Sequence, residues 1–131
     1  MRITWFHGDG AGGSVFDELD IHLGRERRDA QGHLLRGSNV FASPMVQFTE
    51  LPAGLDQHWH PAPRRQLVTV LSGMLEVTAT DSTARRFGPG EVFLADDAGT
   101  SGHLTRTVDG PALVQFAPIG PEVDLTAWAA G

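Results

Sequence analysis

Residues 66–80 read Gln66-Leu67-Val68-Thr69-Val70-Leu71-Ser72-Gly73-Met74-Leu75-Glu76-Val77-Thr78-Ala79-Thr80. Val68, Thr69, Val70, Val77 and Thr78 carry β-branched side chains, which suit a pleated, half-buried surface. Two such runs around a short turn containing Gly predict a hairpin, Leu67–Leu71 meeting Met74–Ala79 across Ser72-Gly73. Downstream, Asp81-Ser82 and Phe87-Gly88-Pro89-Gly90 read as turns, and Glu91–Ala95 as a strand. His103–Val108 follows, then the turn Asp109-Gly110-Pro111 and a last strand, Ala112–Phe116. Upstream, β character runs from Val40 to Glu50, with Met45–Leu51 alternating and Pro52-Ala53-Gly54 closing it. Residues 2–7 read as a short strand, residues 8–14 as a flexible Gly-rich loop, and the alternation of Leu19, Ile21 and Leu23 as another strand. Residues 24–38 are polar and punctuated by Gly, which predicts a loop. Only the tail, Glu122 to Ala130, has some helical propensity. Strands recurring about every ten residues with turn chemistry between them are the signature of a sandwich or barrel.

The 131 residues make one domain by length, 1–131, long enough to bury a core without staples. Sixteen Gly and eight Pro suit an all-β fold with many turns better than a helix bundle. There is no Cys, so any metal must be held by nitrogen and oxygen donors. That composition also fits a reducing compartment. The net charge of −6 repels polyanions, which argues against a nucleic-acid partner. The clusters Arg25-Glu26-Arg27-Arg28 and Arg85-Arg86 are too small to reverse it. No stretch reads as a signal peptide or approaches the roughly 18 apolar residues of a membrane span, so the expectation is a cytoplasmic protein with no membrane partner. Gly8-x-Gly10-x-x-Gly13 matches a dinucleotide fingerprint in letters only, because it lacks the βαβ context.

The chemistry concentrates at His58-Trp59-His60. On a strand, side chains two residues apart share a face, so this pair would project two imidazoles side by side, half of a metal site. Gln66 opens the strand that follows, and His103 sits far downstream in a Gly-rich stretch. The alternative for His58 and His60 is a chance surface pair. Gln66 reads equally as a structural hydrogen-bonder, and the spacing of His103 leaves it free to point elsewhere. Trp59 should face the opposite side and pack in a core or an interface. Asp56 shares the parity of the two His and reads as a loop carboxylate rather than a ligand. Arg64 and Arg65 read as loop cations rather than anion clamps, and Asp96-Asp97 as a turn pair rather than a general base. Met45, Gln47, Phe93 and Gln115 alternate with core positions and could line a barrel interior.

The run Gly54-x3-His58-x-His60-x5-Gln66-x6-Gly73 resembles the first motif of the cupin superfamily, and Gly88-Pro89-Gly90-Glu91-Val92-Phe93-Leu94 followed by His103 is similar to the second. The resemblance covers residues 54–108 and departs at four points. The spacer after His60 is five residues, one longer than usual, Gln66 replaces a Glu, the second motif lacks its inner Pro and has a late His103, and Thr107 stands where an Asn is common. The string from Trp59 to Gln66 resembles a subgroup of small bacterial cupins in which the first His is often replaced.

The resemblance implies a cupin-type double-stranded β-helix, a jelly-roll β-barrel with its core at about 40–118. It also implies a divalent transition metal (Fe, Mn, Ni or Zn) on His58, His60, Gln66 and His103. With Gln66 in place of a carboxylate, such a metal keeps its full charge and attracts anions more strongly, or Gln66 binds a metal-bound water instead. The implied function is a metal-binding cupin acting on a small oxygen-rich or carbonyl-containing molecule by dioxygenase, isomerase, lyase or cyclase chemistry. The alternatives are a metal-free module that binds or senses a small molecule, and a structural dimer. A homodimer is expected from the resemblance and from the need to protect edge strands.

Overall fold

The computed structural model describes residues 1–130, with eleven strands and one short helix. In chain order the strands are β1 (Arg2–Gly8), β2 (Ser14–Asp20), β3 (Arg25–Arg28), β4 (Leu34–Gly37), β5 (Gln47–Leu51), β6 (Gln66–Ser72), β7 (Leu75–Thr78), β8 (Ala84–Phe87), β9 (Val92–Asp96), β10 (Leu104–Thr107) and β11 (Ala112–Pro118). The helix α1 spans Thr126–Ala130. A six-stranded sheet has the order β2-β1-β9-β6-β11-β5, and a three-stranded sheet the order β10-β7-β8. The two face each other across one core. Val68, Val70, Phe93, Ala95 and Val114 from the large sheet meet Leu75, Val77 and Phe87 from the small one. This is an all-β architecture of two facing sheets.

Around β1, β9 and the start of β6 the large sheet is covered on both faces. Leu94 and Leu67 point away from that core, toward Ile3, Leu19, Ile119, Leu125 and Trp128. Strands buried on both faces carry continuous apolar runs, which is why Val92-Phe93-Leu94-Ala95 shows no polar alternation. Arg65 fastens the C-terminal segment over this outer face by donating to the carbonyls of Gly120 and Val123. It acts structurally and does not line the cavity described below.

The segments of the expected hairpin at 66–80 are strands, but they do not pair with each other. β6 lies between β9 and β11, while β7 lies between β8 and β10. Ser72-Gly73-Met74 is therefore a corner that carries the chain from one sheet to the other. Gly73 has φ +76° and packs so closely that a Cβ there would meet the Pro111 carbonyl and Ala112. The paired turn lies one connection later, where residues 79–83 join β7 to β8 and Ala79 donates nothing to β6 but bonds the Thr83 carbonyl at 2.9 Å.

Three further expectations change. Residues 25–37 are a hairpin, β3–β4, rather than a loop. Its residues are exposed or nearly so, and without a buried face there is no apolar periodicity to read. The Asp29 carboxylate closes its turn by accepting from the Gln31 and His33 amides. The second strand begins at Ser14, not near Leu19, because Asp9 ties the Gly-rich loop into a compact β1–β2 turn. The strand expected from Val40 begins only at Gln47. In the small sheet, Glu76 on the central strand bonds Arg86 on β8 and Arg106 on β10. Those two guanidinium groups hold its carboxyl below the usual range.

Candidate functional site

A cavity of about 280 Å³ opens between the sheets. His60, Gln66 and His103 line it, as do Met45, Gln47 and Phe93. His58 and Gln115 do not. On β11, Val114 and Phe116 point inward, so the alternation sends Gln115 to the outer face.

The reason His58 stands apart is a bulge. Asp56 bridges to Arg106 and His60 to His103, so residues 57–59 span what only residues 104–105 span opposite. One extra residue breaks the two-residue alternation and turns the chain, here with a bend at Trp59. Before the bulge, Asp56 faces out with Arg106 and Gln57 faces in with Thr105. After it, His60 faces in with His103. His58 is exposed, and Gln57 takes the wall position expected of it. Trp59 is 48% exposed rather than packed in the core.

Both inward imidazoles are held by oxygen atoms at Nδ1. His103 Nδ1 lies 2.6 Å from Asp97 Oδ2, and Asp97 is fully buried. The other Asp97 oxygen accepts the Ala62 amide at 2.8 Å, so the carboxylate cannot turn away. His60 Nδ1 lies 2.7 Å from the His58 carbonyl. A carbonyl only accepts, so His60 carries its proton on Nδ1, and the Asp97 carboxylate, which accepts at both oxygens, imposes the same tautomer on His103. Each ring is left with a lone pair at Nε2, and neither Nε2 has a protein partner among the described residues. The ring centroids are 4.7 Å apart. The edge of Phe6, itself 1% exposed, packs against His103 at 5.1 Å.

The backbone beneath the pair is equally constrained. His60 and His103 exchange both amide–carbonyl bonds, at 3.1 and 3.0 Å. Gly102 lies against this exchange with φ +86°, and a Cβ there would collide with the His60 carbonyl and Pro61 nitrogen. The buried Ser14 hydroxyl donates to the Gly102 carbonyl at 2.7 Å. Thr100 bonds the Asp97 carbonyl, closing the turn between Asp97 and His103. Thr107 bonds Pro52 and Leu55 and has a structural place.

Asp97, Gln57, Arg64 and Thr105 are thus parts of the site that the sequence reading did not place there. Asp97 was expected as a turn residue, which it also is. Its short separation from His103 across a Gly-containing loop is the signal that could have paired them. The Asp96 side chain accepts from Trp5 Nε1 at 3.1 Å and belongs to the outer face.

The donor set does not fit the four-residue metal centre expected from the sequence. Of the expected ligands the wall offers two imidazoles and the Gln66 amide, whereas zinc and non-haem iron sites take three or more imidazole, carboxylate or thiolate donors. Among the described residues no three His, Asp or Glu side chains group so as to hold a metal ion.

No protein-family model matches the chain, and no curated protein matches it. Among solved structures, the chain is similar to a conserved protein of unknown function from Streptococcus pyogenes, with 23% identity and a TM-score of 0.48 over 60% of this chain and 65% of that one. The chain thus spans under two thirds of that protein. A protein from Neisseria meningitidis is 19% identical, with a TM-score of 0.47 over 61% and 80%. The Cnp3 cupin domain of Schizosaccharomyces pombe is 18% identical, with a TM-score of 0.42 over 80% and 72%. By its own two facing sheets around a cavity, the chain is a small all-β domain.

Proposed function

We propose that this chain binds a small molecule between its sheets and exchanges a proton with it at His103 Nε2. The observation that carries the reading is the 2.6 Å bond between His103 Nδ1 and the buried Asp97 carboxylate. That bond leaves the Nε2 lone pair toward a cavity that His103 lines. A base must be held in one tautomer and one orientation before it can take a proton efficiently, and a buried carboxylate behind an imidazole does both. When Nε2 takes the proton, the Asp97 bond becomes a charge-assisted one, which stabilises the imidazolium as it forms. His60 offers a second fixed lone pair beside the first. Such a pair suits proton transfer next to a carbonyl, the step that isomerase and lyase reactions share.

The reading takes no step through a metal. Purified without chelators, the protein is expected to carry well under one equivalent of transition metal. Adding Zn²⁺ or Mn²⁺ should leave its melting temperature unchanged, because a ligand that does not bind the native state cannot stabilise it. One bound equivalent, with a rise of several degrees lost on His60→Ala, would replace this proposal with a metal centre.

A further inference from the structure

The wall of the cavity has a charge pattern unlike the rest of the chain. Sixteen Asp and Glu residues are present, and among the described residues none lines the cavity. The acid nearest by bonding, Asp97, is sealed behind His103 with both oxygens engaged. A ligand cation would therefore lose its hydration without gaining a counter-charge, a costly transfer. One full charge does line the cavity, the guanidinium of Arg64.

The condition of Arg64 is informative. Arg2, Arg36, Arg85, Arg86 and Arg106 are all paired with carboxylates, Arg65 bonds two carbonyls and Arg28 one, while Arg25 and Arg27 sit exposed on β3, away from the cavity. Arg64 makes one side-chain hydrogen bond among the described residues, from Nη2 to the Met45 sulfur at 2.8 Å. A thioether is a weak acceptor, and a guanidinium has five N–H donors in a fork that matches a carboxylate. Met45 also lines the cavity, in an irregular stretch just before β5. An arriving carboxylate could thus take the fork at the expense only of the weak sulfur contact.

Accepting the cavity reading above, we infer that the ligand is a small carboxylic acid anion with a compact apolar or carbonyl-bearing body. Its carboxylate docks on Arg64 at the rim. The amides of Gln47 and Gln66 supply neutral hydrogen bonds. Its body lies against Phe93, Leu75 and Phe116, within reach of the imidazole edges. The volume sits just below the ~300–1,000 Å³ typical of ligand pockets, which favours a single small ring or short chain.

Three probes of one shape and different charge test this: benzoate, benzamide and benzylamine. Each is titrated into ¹⁵N-labelled full-length protein and followed by amide shifts at Arg64, His60 and His103. Benzoate should move these signals and benzylamine should not. Arg64→Gln should weaken benzoate about tenfold, the scale of one charge-assisted hydrogen bond, while leaving benzamide unchanged. Arg64→Lys should recover part of the loss, and added salt should weaken the wild type, because the rim is exposed. Benzylamine binding as tightly as benzoate, no response to benzoate, or an unchanged benzoate affinity in Arg64→Gln would overturn the inference. The amide spectrum of Arg64→Gln away from the rim reports whether that variant is folded. The histidine tautomers of the ligand-free protein test the proton-transfer reading separately, so the anion assignment can fail while that reading stands.

Discussion

Replacing Asp97 with Ala is expected to lower the free energy of unfolding by about 3 kcal/mol, a large share of what holds a domain of this size together. The side chain is fully buried, and its two oxygens accept from different segments: the Ala62 amide ahead of β6 and His103 ahead of β10. Truncation leaves both donors sealed without partners, and each such group costs about 1–3 kcal/mol. Asp97→Asn separates position from charge. An amide has one acceptor oxygen, so it can serve Ala62 or His103 but meets the other with N–H against N–H. The economical answer is for His103 to move its proton from Nδ1 to Nε2 and accept from the new amide. The variant should then keep more stability than Asp97→Ala but lose the lone pair on the cavity side. Denaturant unfolding of the three proteins measures the first effect. Equal stability of wild type and Asp97→Ala would show that the buried bond matters little.

A comparable loss, about 3 kcal/mol, is expected from Gly102→Ala, through a different cause. Its φ of +86° penalises any Cβ, by roughly 1–2 kcal/mol. The added atom would also strike the His60 carbonyl and Pro61, and overpacking of this kind costs about 1–3 kcal/mol more. Gly99 provides the comparison. It has φ +79° in the same loop, but a Cβ there would meet nothing within 4 Å. Gly99→Ala should show the backbone penalty alone. The excess loss in Gly102→Ala then measures the close approach that brings His60 against His103. If the two variants unfold at the same denaturant concentration, Gly102 does not approach the His60 carbonyl and Pro61 closely enough to exclude a Cβ.

The sequence made the strands legible but not their partners. Val68, Val70, Val77 and Phe93 mark buried strand faces wherever those strands pair, since apolar alternation reports burial and not neighbours. β6 and β7 satisfy the hairpin signal at Ser72-Gly73, yet they separate into two sheets because Gly73 turns the corner beneath Pro111 and Ala112. The β3–β4 hairpin leaves no periodic trace because it has no buried face. At the site, His60 and His103 were legible as chemistry. His58 turns away from the wall because the two-residue alternation breaks there, and a bulge is a single extra residue that letters do not reveal. His103 points inward with Thr105 and Thr107 because the alternation does hold along β10. Asp97 was hidden for another reason. Its role as orienter depends on a loop folding back over six residues, and only the tertiary structure brings its carboxylate onto the imidazole.

Long-range ¹H–¹⁵N spectroscopy of the histidine rings, on ligand-free protein at a pH where they are neutral, reads the site directly. The geometry requires His103 and His60 to carry their protons on Nδ1, with Nε2 showing the shift of an unprotonated nitrogen. It also requires His103 to switch to the other tautomer in Asp97→Asn. Finding His103 protonated at Nε2 in the wild type would mean that Asp97 does not orient it, and the proposed proton acceptor would be lost.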